Sequence, residues 1–152
     1  MTGLDKAIAN RKLQKIVKYL ATLKSFANLD QQSYLDDFSQ QLIVERLLHL
    51  IIEAAADLNS YLLVRSGQPP PETYFNSFTE AGRQGIISQD LAQQLAPSAG
   101  LRNRLVHGYD EIDPTIVFQA IPFALELYPR YVVQIQRYLG QHPPDSTGLY
   151  EG

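Results

Sequence analysis

Four residues within eight positions have the side-chain types needed for chemistry on a phosphate. They are Arg102, Asn103, His107 and Tyr109, in the string RNRLVHGY. An arginine is a permanent cation that binds phosphate oxygens, and an imidazole gains or loses a proton near neutral pH. Together with an amide that orients its neighbours by hydrogen bonds, these groups suit metal-free RNA cleavage, in which a ribose 2′-hydroxyl attacks the adjacent phosphate.

The spacing of these residues predicts where the helix that carries them must end. Asn103 and His107 are i,i+4 neighbours on one face of an ideal helix, whereas Arg102 and His107 are about 140° apart. For both to serve one phosphate, the helix must end near His107. Gly108 suits that end because glycine readily adopts the left-handed backbone conformation of a helix terminus.

The residue types then suggest a division of roles. Arg102 would bind a non-bridging phosphate oxygen and stabilise the charge that develops on the phosphorane. His107 would take the proton of the 2′-hydroxyl or give one to the leaving 5′-oxygen, while Asn103 orients the imidazole or holds a phosphate oxygen. The implied products are a 2′,3′-cyclic phosphate and a 5′-hydroxyl end, formed without a metal or a cofactor.

A single histidine in this string indicates a dimer. The reaction uses both an acid and a base, yet the other two histidines are weak candidates. His49 lies among leucines and isoleucines, as helix-packing or surface residues do, and His142 lies in a predicted C-terminal tail. A two-fold homodimer would bring a second copy of Arg102 and His107 to the same cleft.

The string RNRLVHGY, followed by Ile112-Asp113, resembles the signature of the HEPN superfamily, and most closely its HepT-type toxin branch. Glu45-Arg46, the segment IIEAAADL and the segment GIISQDLAQQL also look like this family. The resemblance implies an all-α bundle, an active site at a homodimer interface, and a toxin endoribonuclease of a toxin–antitoxin system.

The same resemblance implies a form of regulation and a protein partner. In HepT-like toxins the tyrosine of Arg-x4-His-x-Tyr accepts AMP from a minimal nucleotidyltransferase, the MntA-type antitoxin, and Tyr109 occupies that position. An adenylate there would place a phosphodiester and a base where the phosphate of the RNA is expected to bind.

Two alternatives to a toxin ribonuclease stay open. One is a non-catalytic nucleotide-binding subunit of a two-chain nucleotidyltransferase, and the other is a structural bundle in which the string only caps a helix. The isolated chain cuts RNA if it is a ribonuclease, and it does not if it is the non-catalytic subunit. For the substrate, transfer RNA is favoured over messenger RNA, because a small acidic dimer with a localised site suits a structured RNA.

Composition limits the remaining possibilities. A chain of 152 residues, 45% of them hydrophobic, is long enough for one domain with a sizeable core. The absence of cysteine excludes thiol catalysis and disulfides. The chain shows no apolar run of about 18 residues and no signal-peptide layout, so a cytoplasmic protein is expected.

A metal site is not expected. Glu53 and Asp57 lack a histidine at a matching position, and they are better candidates for partners of Arg102 or His107.

The net charge of −3 is distributed unevenly along the chain. Residues 1–24 carry six basic residues and one acid, a net charge of +5, while the rest carries seven basic residues and fifteen acids, a net charge of −8. The basic segment is interpreted as a solvated helix face or as a rim that guides RNA toward the site.

Apolar periodicity predicts helices almost throughout. Five segments are expected to be helical: residues 3–24, 38–65, 72–81 closed by Gly82, 89–107 kinked or split at Pro97, and 114–140 with bends at Pro122 and Pro129. Residues 25–37 are predicted to be a loop with one short turn, and Tyr34, Tyr74 and Tyr150 are assigned to loops. Ser88 and Asp113 are predicted N-caps. The sequence thus indicates an all-α, up-and-down bundle of four or five helices in one domain, residues 1–140, with a loose tail over residues 141–152.

Overall fold

The computed structural model describes residues 5–107 and 112–141, and every regular element in these ranges is a helix. The helices are α1 (Lys6–Lys24), α2 (Gln31–Leu35), α3 (Phe38–Arg65), α4 (Tyr74–Arg83), α5 (Gln89–Leu95), α6 (Ser98–His107) and α7 (Pro114–Gln141). The all-α bundle is therefore confirmed. It has seven helices in the described ranges because the short turn in the first loop is the helix α2 and because the segment around Pro97 divides into α5 and α6.

Local capping interactions explain where several helices begin. The Ser88 hydroxyl oxygen accepts a hydrogen bond from the Leu91 amide at 3.1 Å, at the start of α5. The Asp113 carboxylate accepts one from the Thr115 amide at 2.9 Å, at the start of α7. Both predicted N-caps are confirmed, and each satisfies a backbone donor that would otherwise lack a partner at the helix end.

Helix α3 forms the centre of the bundle. Its apolar residues at helical spacing form one buried stripe, made of Val44, Leu47, Leu48, Ile51, Ala55, Leu58 and Leu62. By length and composition alone this helix could cross a membrane, but 56% of its most apolar window is buried inside the bundle. Such burial is typical of a core helix in a globular domain. Core helices of this kind are also long and apolar enough to cross a membrane.

The other helices pack around α3 in a way that determines the position of the RNRLVHGY segment. Helices α1 and α7 pack against α3 and against each other, and α4 and α6 also contact α3. Helix α6, which contains Arg102 and His107, further contacts α4. The described part of the segment, residues 102–107, thus lies on a helix held by two others, and His107 is the last described residue of that helix.

The prediction that Gly82 closes a helix is wrong. Gly82 is buried inside α4, which continues to Arg83, and the chain turns at Gly85, where φ is +76°. A Cβ atom on Gly82 would lie 2.5 Å from the Cβ of Ala92 in α5. The glycine therefore allows two helices to approach closely, a function that a sequence pattern does not distinguish from helix termination.

The assignment of Tyr34 and Tyr74 to loops is also wrong. Tyr34 lies in α2 with its side chain fully buried, and Tyr74 is the first residue of α4. Gln141, expected in the loose tail, is the last described residue of α7, and residues 142–152, with His142 and Tyr150, lie outside the described residues. Helix α7 runs as one helix through Pro122 and Pro129 to Gln141, so bends at the prolines stay a prediction, as does the single-domain boundary at residue 140.

Candidate active site

Arg102 lies in the interface that α6 makes with α3 and α4, with 14% of its side chain exposed. Its Nη2 donates a hydrogen bond to Oε2 of Glu53 at 3.0 Å. Its guanidinium carbon lies 4.4 Å from the centre of the Tyr74 ring, and Nη1 is 3.5 Å from Oδ1 of Asn103. The guanidinium is therefore held between a carboxylate and an aromatic ring, an arrangement that suits its planar, delocalised charge.

Glu53 has three polar neighbours. Besides Arg102, the Tyr74 hydroxyl donates a hydrogen bond to Oε2 at 3.2 Å, and Nε2 of His49 lies 3.1 Å from Oε1. Burial acts to raise the pKa of the Glu53 carboxyl, but the hydrogen bond from Arg102, the neighbouring His49 and the hydrogen bond from Tyr74 together lower that pKa below its ordinary value. Glu53 is thus ionised at neutral pH and balances the charge of Arg102.

A line of polar side chains on α3 leads to this carboxylate. Nη1 of Arg46 lies 3.2 Å from Nδ1 of His49, and Nε2 of the same ring lies 3.1 Å from Oε1 of Glu53. Arg46, His49 and Glu53 are at positions i, i+3 and i+7 and share a helix face. His49, expected to be a packing or surface residue, is instead a polar neighbour of the group that binds Arg102.

Asn103 and His107, the other described residues of the RNRLVHGY string with predicted roles, both lie on α6, and Asn103 contacts Arg102. Asn103 and His107 are exposed, and α6 is described as far as His107, so the helix end expected near His107 stays a prediction. Gly108 and Tyr109 lie outside the described residues. The structure thus brings Arg102 together with Glu53 and Tyr74 inside the chain, and it places His107 on the surface at the C-terminal end of the same helix.

Asp57, the second acid considered as a partner, makes a different contact. Its carboxylate pairs with Nζ of Lys12 on α1 at 2.6 Å. A groove of about 370 Å³ lies between α1 and α3 at this point, and Lys15 also lines it, together with Glu53 and Tyr74. Two lysines of the basic N-terminal segment therefore reach the edge of the Arg102 site. The exposed lysines of the basic segment that lie outside this groove form a solvated helix face, the other interpretation given for this segment.

Some members of this cluster can be recognised in the sequence, and others cannot. Glu53 was a candidate partner because a carboxylate near an arginine is a plausible ion pair, and the i, i+3, i+7 spacing could have added Arg46 and His49. Tyr74 has no such signal, since it is distant from both partners in the sequence. No group of three histidine, aspartate or glutamate side chains within residues 5–107 and 112–141 is placed to hold a metal ion.

Comparison with known sequences connects this geometry to ribonucleases. The family described as "Ribonuclease HepT-like" matches residues 16–135. The tRNA nuclease HepT of Aphanizomenon flos-aquae is 50% identical over 139 residues, which cover 91% of this chain and 95% of that protein. The mRNA nuclease HepT of Shewanella oneidensis is 29% identical over 123 residues, 77% of this chain and 92% of that protein.

Comparison with solved structures supports the same relationship. A structure of the tri-AMPylated Shewanella oneidensis HEPN toxin in complex with its MNT antitoxin aligns with a TM-score of 0.78 at 25% identity. The alignment covers 88% of this chain and 99% of that one. The helical bundle described above is thus shared over nearly the whole of the aligned toxin chain.

Proposed function

The chain belongs to the HepT-like ribonuclease family, and we propose that it is the toxin endoribonuclease of a toxin–antitoxin pair and that it cleaves transfer RNA. The observation that carries this proposal is the 50% identity to a tRNA nuclease over 91% of the chain. The mRNA nuclease is a more distant relative at 29% identity, which favours transfer RNA as the substrate.

The residue roles follow from the chemistry of the side chains. Arg102 binds a non-bridging oxygen of the scissile phosphate and stabilises the charge that grows on the phosphorane. His107, exposed at the end of α6, exchanges a proton with the 2′-hydroxyl or the leaving 5′-oxygen, and Asn103 orients the imidazole or the phosphate. This scheme uses no metal and leaves a 2′,3′-cyclic phosphate and a 5′-hydroxyl end.

The different environments of Arg102 and His107 favour a homodimeric site. Arg102 is fixed inside its own chain by contacts with α3 and α4, whereas His107 is exposed at the surface. In a two-fold dimer, the exposed His107 of one subunit can approach the Arg102 of the other. In such a composite site, the Arg102 and the His107 that act on one phosphate come from different subunits.

Regulation is proposed at Tyr109. A minimal nucleotidyltransferase of the MntA type transfers AMP to its hydroxyl, as the family resemblance implies and as the AMPylated toxin with its MNT antitoxin supports. Tyr109 follows the exposed His107 by two residues. An adenylate there brings a negative phosphodiester to the Arg102 site, where it excludes the phosphate of the RNA. Both partners are expected to meet in the cytoplasm.

Cleavage assays with purified chain test this function. Arg102→Ala and His107→Ala should each lower the rate of tRNA cleavage at least about a hundredfold, because each removes a group that acts in the transition state. Arg104→Ala, which removes an exposed charge of the same helix, should retain most activity. Cleavage should persist in EDTA, and mapping of the RNA ends should give a cyclic phosphate.

Two outcomes would contradict the proposal. A His107→Ala protein that cuts at the wild-type rate would remove His107 from the mechanism. A wild-type chain that cuts no RNA alone, but gains nucleotidyltransferase activity with a second chain, would favour the non-catalytic subunit considered above.

A further inference from the structure

We propose that Glu53 and Tyr74 are positioning residues that fix the guanidinium of Arg102 in the orientation needed to bind the scissile phosphate. We refer to this pair as the arginine seat. The inference rests on the proposed function of Arg102, and it assigns a role to two residues outside the RNRLVHGY string. They belong to different helices, α3 and α4, and they hold a side chain of a third, α6.

The contacts of the arginine seat restrict two independent motions of Arg102. The hydrogen bond from Nη2 to Glu53, 3.0 Å long, prevents rotation of the guanidinium within its own plane. The Tyr74 ring, 4.4 Å from the guanidinium carbon, restricts tilting out of that plane. A long, flexible side chain is therefore ordered before RNA arrives, and this preorganisation is what makes a charge effective in a transition state.

The two residues of the seat are also linked to each other and to His49 by polar contacts. The Tyr74 hydroxyl donates to the same Glu53 oxygen that Arg102 binds, at 3.2 Å, which links the ring to the carboxylate. His49, held by Arg46, lies against the other Glu53 oxygen at 3.1 Å. Burial raises the pKa of the Tyr74 hydroxyl more than the charge of Arg102 lowers it, so the hydroxyl keeps its proton and remains a donor.

If Glu53 did not position Arg102 but only competed with the RNA for it, neutralising Glu53 would change the cleavage rate in the opposite direction. A carboxylate beside Arg102 could act only as a competitor of the RNA phosphate, and its neutralisation would then strengthen RNA binding and speed cleavage. A positioning carboxylate, by contrast, is needed for the reaction although it repels the substrate. The sign of the change in kcat on neutralising Glu53 separates the two.

Steady-state kinetics on a tRNA substrate provide the first test. Glu53→Gln keeps the shape of the side chain but removes its charge, and it should lower kcat about tenfold or more with KM changed less than threefold. Tyr74→Leu, which removes the ring, should do the same. Tyr74→Phe keeps the ring and loses one hydrogen bond, so it should stay within about threefold of wild type.

Asp57→Asn is the matched control. Asp57 lies one turn after Glu53 on α3 and also forms an ion pair, but its partner is Lys12 instead of Arg102. Its neutralisation should leave kcat unchanged. Thermal unfolding of each variant distinguishes a loss of folding from a loss of positioning.

A second measurement does not depend on RNA cleavage. Nε of Arg102 is buried without a hydrogen-bond partner among the described residues. Its N–H group should give a slowly exchanging NMR signal, assigned by its absence in Arg102→Lys. Glu53→Gln and Tyr74→Leu should speed the exchange of this proton, and Asp57→Asn should not.

Several results would overturn the inference. They are a kcat for Glu53→Gln equal to or above that of wild type, an equal loss of kcat in Asp57→Asn, or an Arg102 signal unchanged by removal of the seat. A wild-type chain that cuts no RNA would defeat the proposed function itself. The NMR signal would then still decide whether Glu53 and Tyr74 orient Arg102.

Discussion

At the scale of single residues, the burial of Arg102 is the feature that needs a physical explanation. Removing an arginine from water is costly unless a partner compensates for the lost hydration. Glu53 supplies an opposite charge and Tyr74 supplies the negative face of a ring. A purely apolar contact could stabilise α6 on α3 as well, so the use of an arginine here is consistent with a role in binding phosphate.

A prediction at the same scale concerns Tyr109. Tyr109→Phe should retain RNA cleavage, because the ring remains and no catalytic proton is assigned to the hydroxyl. It should also escape neutralisation by the partner nucleotidyltransferase, because the acceptor oxygen is gone. Mass spectrometry after incubation with partner and ATP should find AMP on the wild type and none at position 109 of the variant.

The control for this prediction is a tyrosine elsewhere in the chain. Tyr61→Phe, on α3, should accept AMP at Tyr109 as the wild type does. If Tyr109→Phe loses cleavage while the wild type never gains AMP, Tyr109 is a catalytic or substrate-binding group instead of an acceptor.

At the scale of helices, the packing of α4 on α5 depends on one residue without a side chain. Gly82→Ala would place a Cβ atom 2.5 Å from Ala92, in a buried contact formed by two short side chains that cannot rotate away. Such overpacking should lower the free energy of unfolding by about 1–3 kcal/mol. Urea denaturation, followed by circular dichroism, measures this change.

Gly140→Ala is the matched variant for that experiment. Gly140 lies near the end of α7, and a Cβ there would meet no atom of the described residues within 4 Å. The gain in helix propensity should leave the protein equally stable or up to about 1 kcal/mol more stable. If both alanine variants have the same free energy of unfolding, the packing of α4 on α5 does not depend on the missing side chain of Gly82.

At the scale of the whole molecule, a composite dimer site makes a prediction about mixed subunits. When inactive Arg102→Ala and His107→Ala subunits exchange freely, half of the dimers contain one of each. Each such dimer regains one intact site if Arg102 and His107 come from different chains. We therefore expect roughly a quarter of the wild-type cleavage rate after mixing.

Two observations would contradict the composite site. Mixing that restores no activity, although native mass spectrometry shows that subunits have exchanged, would mean that each subunit uses its own Arg102 and His107. An active monomer at the working concentration, measured by light scattering, would exclude the dimeric site altogether.

The sequence by itself determined what depends on near neighbours along the chain. The apolar stripe of α3, the N-caps at Ser88 and Asp113, and the division near Pro97 all follow from interactions within a few residues. The string from Arg102 to Tyr109 likewise identified the family, because its information is in residue types and spacing. The roles assigned to Arg102, Asn103, His107 and Tyr109 stay predictions.

Only the tertiary structure decided which residues surround Arg102. Its hydrogen bond to Glu53 spans 49 positions, and Tyr74 reaches it from a third helix. The choice of Glu53 over Asp57, one turn away on the same helix, depends on how α1 and α6 pack against α3. Gly82 illustrates the same limit, since its role is set by Ala92 on another helix. Such contacts form between helices that are distant in the sequence, so they cannot be predicted from the pattern of residues within one helix.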